Sequence, residues 1–257
     1  FPTRRSSDLT EALKKDGFKL TNNLDEAEIA IVNTCTVTNT ADNKSMKFAL
    51  ASILVFFDIF MKSGADPSLD MYTFGIKINM GWFYGIFILF MLVASSNAVN
   101  ITDGLDGLAG GLSLMAFLAL GLISWNAGAI SGTEDIAVFC FILVGTLLGF
   151  LLFNTYPAKV FMGDTGSLSL GATLASVALL TKHEITFIVI MGVFIFETLV
   201  CIIQTFSMIV FRKKVFLMTP FHHHLEKLGW EERDIVKFFW VIGLILSMGA
   251  IIYGVWI

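Results

Sequence analysis

Long uncharged stretches alternate along the chain with short polar loops, and the stretches are about as long as a helix that crosses a bilayer. A helix rising 1.5 Å per residue needs about 20 apolar residues to span the hydrocarbon. Seven runs approach that length: Met46–Met61, Gly81–Asn97, Leu112–Ala127, Ile136–Phe153, Leu168–Thr181, Ile185–Phe211 and Val236–Ile257. The fifth is short and opens on Gly- and Ser-containing turns. All are continuous rather than alternating with period 2, which predicts helices and argues against a membrane barrel. The expected fold class is all-α, a polytopic transmembrane helix bundle of about seven spans.

Composition agrees. Of 257 residues, 56% are hydrophobic and 15% charged, and the mean hydropathy is +0.78; a soluble domain carries about 25% charged residues. A formal net charge of -4 without a basic patch argues against a nucleic-acid partner. Cys35, Cys140 and Cys201 lie far apart, two of them inside apolar runs, and form neither a disulfide framework nor a zinc spacing. They read as buried or lipid-facing thiols. Lys159, Arg212, Lys213, Lys214, Lys227, Arg233 and Lys237 fall in one set of loops, against Lys62, Lys77 and Lys182 in the other. Seven against three places the first set in the cytoplasm. Residues 97–110, 154–167 and 212–235 then share the cytoplasmic side, and the C-terminus lies outside.

Those three loops also hold the unusual chemistry. In the first, Asn97, Asn100, Asp103 and Asp106 recur every three residues and would lie along one face of a helical turn. Carboxylates beside amides and glycines suit a hard cation and phosphate oxygens; a plain polar turn with Asp as helix cap is the alternative. In the second, Pro157 halts a helix, and Asp164 stands between Gly163 and Gly166 at the mouth of the next run. It could cap that helix, as could Ser167, or ligate magnesium with phosphates completing the shell. The third carries His222, His223 and His224, which cannot all face one way on a helix and lack the spacing of a zinc site. Imidazoles there could bind a pyrophosphate or tune a carboxylate. Arg212–Lys214 could meet anionic head groups. Glu197 and Gln204, seven apart, share a helix face, and an interhelical hydrogen bond is the preferred reading.

Residues 1–45 differ in kind and read as a fused or misassembled α/β fragment, set apart from a membrane domain over 46–257. FPTRRSSD is similar to adapter sequence. EALKKDGF and EAEIAIVNTCTVTNTADNKS resemble the amino-terminal domain of the tRNA methylthiotransferases, in which a cysteine at the position of Cys35 helps hold an iron–sulfur cluster. A cluster needs three or four thiolates, and no other cysteine here has suitable spacing.

From about Met46 onward, SNAVNITDGLDGLAGG, FNTYPAKVFMGDTGSLSLGA and TPFHHHLEKLGW resemble the phospho-N-acetylmuramoyl-pentapeptide transferases, within the polyprenyl-phosphate N-acetylhexosamine-1-phosphate transferases. The resemblance implies a magnesium-dependent enzyme of the bacterial plasma membrane. Undecaprenyl phosphate would attack the β-phosphate of UDP-N-acetylmuramoyl-pentapeptide, giving UMP and lipid I. A sister enzyme transferring N-acetylglucosamine phosphate and a catalytically dead fragment are the alternatives. Carried over by position, Asp164 is the magnesium ligand, and Asp103 and Asp106 line the same cleft. Asn154 and Phe161 hold the uridine, with Phe161 on the base. Asn97, Asn100, Gly104 and Leu105 complete the donor site, and His222, His223 and His224 sit beside the diphosphate. Membrane lipid and a homodimer are the remaining partners. The family's earlier Asp-Asp-x-x-Lys motif and three further helices do not occur in the sequence, so the chain is expected to be weakly active or inactive.

Overall fold

The computed structural model describes residues 68–71, 76–81, 83–126 and 133–256. The 1–45 segment and the first expected span, Met46–Met61, lie outside the described residues.

A β-hairpin comes first: β1 (Ser68–Met71) pairs antiparallel with β2 (Ile76–Asn79), Ser68 opposite Asn79. Helices follow: α1 (Phe83–Thr102), α2 (Leu108–Asn126), α3 (Thr133–Asn154), α4 (Gly163–Leu180), α5 (Glu184–Ile190), α6 (Gly192–Val210), α7 (Phe221–Lys227) and α8 (Glu232–Trp256). The hairpin was not anticipated from the sequence. The apolar runs from the second to the seventh all became helices. α1, α2, α3, α6 and α8 are each long and apolar enough to cross a membrane. α4 is not among these five; its GDTGSLSLGATLAS start is diluted with Gly, Ser and Thr.

The sixth run is corrected in one respect. It bends at Met191, whose ψ of 6° leaves the helical range, so α5 and α6 are separate segments. Hydrogen bonding nevertheless continues across the bend, with Met191 N–H to Phe187 O and Ile195 N–H to Met191 O at 2.8 Å each. No proline marks this place, and only Gly192 hints at it.

α2 is the central helix, with 72% of its span buried, whereas for α3 the figure is 17%. Small residues explain why α2 can be surrounded: they let neighbouring backbones close in where lipid supplies no hydrophobic drive between helices. A Cβ on Gly111 would meet the Trp240 indole of α8 at 2.3 Å, and one on Gly121 would touch Phe141 of α3 at 3.0 Å. The same device joins α1 to α4. A Cβ on Gly171 would stand 2.5 Å from the Ser95 carbonyl. Ser95 and Ser96 donate their hydroxyls to the carbonyls of Gly171 and Leu168, at 2.8 Å each. The outward faces of α3, α6 and α8 expose Ile142, Leu148, Ile202, Phe206, Ile209, Val241 and Ile245, as helices facing lipid do.

At the hairpin end, Lys182 sits buried in the turn between α4 and α5 with a φ of 59°. Its Nζ donates to Tyr84 Oη at 3.0 Å and to the Ser68 carbonyl at 3.3 Å, and Tyr84 donates to the Glu184 carboxylate. Three buried ionisable side chains thereby tie α1, β1 and α5 together.

Candidate functional site

The polar loops meet at the other end of the bundle. Gly104 and Gly107 stop α1 after Thr102, Gly107 taking a φ of 81° that suits glycine. The Asp103–Gly107 turn then lies between α1 and α2. The expected four-residue stripe is therefore broken: Asn97 and Asn100 are helical, while Asp103 and Asp106 have left that face. Asn97 folds back to donate to Val93 O at 2.8 Å, so it is not drawn toward the others.

Asn100 does reach across. Its Nδ2 donates to Asp164 Oδ1 at 3.1 Å and to Ser167 Oγ at 2.9 Å, contacts made available by the close α1–α4 packing one turn and more below. Asp164 is exposed in the first turn of α4, where a carboxylate suits the helix dipole. It does not cap the helix: the cap position is Met162, which offers no side-chain hydrogen bond. Ser167 instead donates back to Gly163 O at 3.1 Å.

Asp106 and Asn154 lace the first loop to the second. Asp106 Oδ2 accepts from Ala158 N–H at 2.9 Å. The buried Asn154 side chain accepts from Gly107 N–H at 3.1 Å and donates to Val160 O at 2.8 Å. Both ends of that amide are therefore engaged within the protein. Phe161 is half exposed, and Leu105 is buried in the core, so only its backbone borders the loop surface. Sequence reasoning missed Glu232, whose Oε1 accepts Asp106 N–H at 2.7 Å. It also missed Trp240, whose indole donates to Gly107 O at 3.3 Å. Neither stands out in an acidic helix start or an apolar run.

The three histidines point three ways, as their adjacency required. His222 is fully buried, and its Nε2 lies where a Cβ on Gly104 would be, 2.1 Å from that position. His223 is half-buried, with Nδ1 2.5 Å from Glu226 Oε2. Burial and the neighbouring His222 push the His223 pKa below its ordinary value, and Glu226 opposes them. His224 stacks on Phe221 and accepts from Leu217 N–H at 3.2 Å. Glu197 and Gln204 of α6 both face this region. Glu197 bonds the start of α7, an interhelical contact as expected. Gln204 bonds the backbone of Val215 and Phe216.

Among the described residues no three His, Cys, Asp or Glu side chains form a metal-holding group. A closed protein cage for zinc is thus not what these residues offer. One exposed carboxylate beside an amide and a hydroxyl fits magnesium, which keeps several waters and takes phosphate oxygens with one or two carboxylates. The apolar clefts lie elsewhere. One of about 390 Å³ is lined by α3 and α4 residues such as Phe139 and Val177, and one of about 330 Å³ by α6, α7 and α8. They hold none of the acidic loop residues, and polar convergence marks the site better than cavity size.

Comparison with known proteins supplies two family matches. Residues 41–182 match glycosyl transferase family 4, and residues 3–52 match the uncharacterized protein family UPF0004, the region where the methylthiotransferase resemblance was read. The phospho-N-acetylmuramoyl-pentapeptide-transferase of Geobacillus thermodenitrificans is 50% identical over 204 residues, covering 79% of this chain and 62% of that protein. Those of Oceanobacillus iheyensis and Bacillus licheniformis are 48% identical over 197 residues (76% and 59% covered) and 44% over 204 (79% and 62%). The chain thus spans about 62% of the length of the first of these relatives.

Proposed function

The chain belongs to glycosyl transferase family 4, and from that premise we propose that it transfers phospho-N-acetylmuramoyl-pentapeptide from UDP to undecaprenyl phosphate. The products are UMP and lipid I, the first lipid-linked precursor of the peptidoglycan wall. The observation that carries this reading is the convergence of three polar connections at one end of a multi-pass membrane bundle: Asn100 on Asp164, Asp106 on Ala158, and His222 on Gly104. The excess of Lys and Arg in those connections supports a cytoplasmic setting for this end, where a nucleotide-linked donor is found.

Phosphoryl transfer asks a protein for alignment and charge neutralisation more than for covalent chemistry. Asp164, with Asn100 orienting its carboxylate, would hold magnesium, and the ion would neutralise the diphosphate oxygens. Phe161 offers a ring face to the uracil. The Asp103–Gly107 turn is held in place by Asn154, Glu232 and Trp240, and presents backbone and carboxylates to the donor. His222 lies on the other side of that turn. The prenyl acceptor would reach the site from the membrane beside it.

The reading is tested with the full chain in nanodiscs, undecaprenyl phosphate, magnesium and UDP-N-acetylmuramoyl-pentapeptide, following UMP. Release that stops on chelation of magnesium supports it. Release only with a hexosamine donor lacking the peptide assigns the chain to a sister activity. A second reading is nucleotide binding without turnover. UDP-donor binding without any UMP release would place it first.

A further inference from the structure

We propose that Glu197 is a positioning residue for this site: it fixes the tautomer and orientation of His222, so that Nε2 is the ring atom offered to the acidic turn. The inference rests on the transferase reading for what the ring then does, but the contact itself is independent of it.

Glu197 is fully buried on α6, where an ionisable side chain is costly and needs partners. Its carboxylate accepts Phe221 N–H at 2.6 Å and His222 N–H at 3.2 Å. These are donors left over at the start of a helix, and Pro220 at the cap position supplies no side-chain bond for them. A glutamate from another helix therefore does the capping. The same carboxylate reaches further, with Oε2 at 3.4 Å from His222 Nδ1. The ring is fully buried, and neither of its nitrogens has a hydrogen bond within the described chain. A buried polar atom in that state is unfavourable, so Nδ1 and Nε2 each want a partner from their surroundings.

The two nitrogens have different surroundings. A carboxylate beside Nδ1 favours the proton there, which leaves Nε2 with its lone pair. Nε2 lies against Gly104, in the turn that carries Asp103 and Asp106, and any side chain at 104 would displace it. A carboxylate that sets a histidine's tautomer and aims its other nitrogen is a recurrent arrangement in sites where the imidazole accepts a proton or a ligand. A cap alone would need neither the reach toward Nδ1 nor the glycine opposite Nε2.

The full chain, carrying ring-¹⁵N histidine in nanodiscs, decides the matter, with the His222 signals assigned by their loss in His222→Gln. Wild type is expected to hold the proton on Nδ1. Glu197→Gln, close in size but uncharged, should move His222 toward the Nε2-protonated tautomer. It should also lower kcat for UMP release about 30-fold with KM for the donor nearly unchanged. Glu197→Asp, which keeps the charge, should restore the tautomer and part of kcat. His224 signals at their wild-type positions show that α7 remains folded. An unchanged His222 tautomer in Glu197→Gln overturns the proposal, as does a wild-type kcat in that variant. If wild type releases no UMP, the transferase reading falls, and the tautomer shift still establishes or refutes the contact.

Discussion

Both ends of the bundle hold ionisable side chains at the margin of apolar helices, and the two ends treat them in opposite ways. At the hairpin end, Lys182, Tyr84 and Glu184 are all buried and bond one another. At the loop end, the carboxylates of Asp106, Glu197 and Glu232 bond backbone N–H groups of neighbouring segments. A backbone N–H orients a carboxylate and leaves its charge in place; at the hairpin end the Tyr84 hydroxyl joins the Glu184 carboxylate to the Lys182 ammonium in one buried network. Burial of charge is therefore a poor mark of a reactive site, because structural networks bury charge too. The nature of the partner separates a latch from a site that awaits a cation or phosphate.

The sharpest way to break that comparison is Asp164→Asn. The amide keeps the side chain's size and an oxygen for Asn100, and removes the charge. Turnover should fall about a thousandfold, about 4 kcal/mol at the barrier, while the thermal midpoint in detergent stays at the wild-type value. UMP release and thermal unfolding, measured on the same preparation, check both halves. Unchanged turnover would remove every catalytic reading of the loop end.

The converse is expected of Lys182→Met. It takes the ammonium out of the buried network that Tyr84 shares with Glu184, and loss of one member of a buried charged group costs about 3 kcal/mol. The midpoint should drop, and the turnover of the protein that remains folded should not. Replacing Lys182 and Glu184 together, by Met and Gln, should cost less than the sum of the single changes, since neither charge is then left alone.

Gly171→Ala should blur the two classes. Its Cβ would press on the Ser95 backbone at 2.5 Å, and overpacking of that kind costs about 2 kcal/mol. Because α1 and α4 must then part, Asn100 should also lose its hold on Asp164. Turnover is expected to fall about tenfold, a modest effect at the barrier. Thermal unfolding with UMP release again separates the two losses. Full activity with a lowered midpoint would show that the Asn100–Asp164 contact does not matter to turnover.

These residues also show what a sequence can and cannot convey. The helices were legible because a bilayer demands long apolar runs, and the loops because Asp, Asn and His are conspicuous between them. The bend at Met191 was not, since no proline marks it and the helical hydrogen bonds run on across it. Asn100 and Asp164 were both picked out, yet their contact depends on Gly171 and Ser95, which look like ordinary helix residues. Asn154 was also picked out, but nothing in the pattern told that its side chain joins two loops. Glu232 was missed because its partner, the Asp106 N–H, is 126 positions away and has no side-chain signature. Pattern gives the elements and the chemical inventory; long-range hydrogen bonds decide which members of the inventory share a site.

The smallest effect expected concerns two histidines, one at each end. His183 and His223 both have pKa values below the ordinary 6.5, burial being the first cause of each. Thr181 O opposes it at His183, and Glu226 at His223. In the unfolded chain each ring takes up its proton near its ordinary value, while in the fold it does so only at lower pH. The unfolded state thus binds more protons as pH falls through 6.5, and stability is lost on the acid side until the folded pKa is passed. Thermal midpoints taken between about pH 8 and pH 5 should fall for wild type and fall less for His183→Gln or His223→Gln. The acid limb of turnover should separate the two: His223 touches Glu226 and the His222 ring, so its replacement should move that limb, and replacement of His183 should not. A limb that moves equally with both would mean that acid inactivation reports unfolding, and the two ends would then differ in partners but not in function.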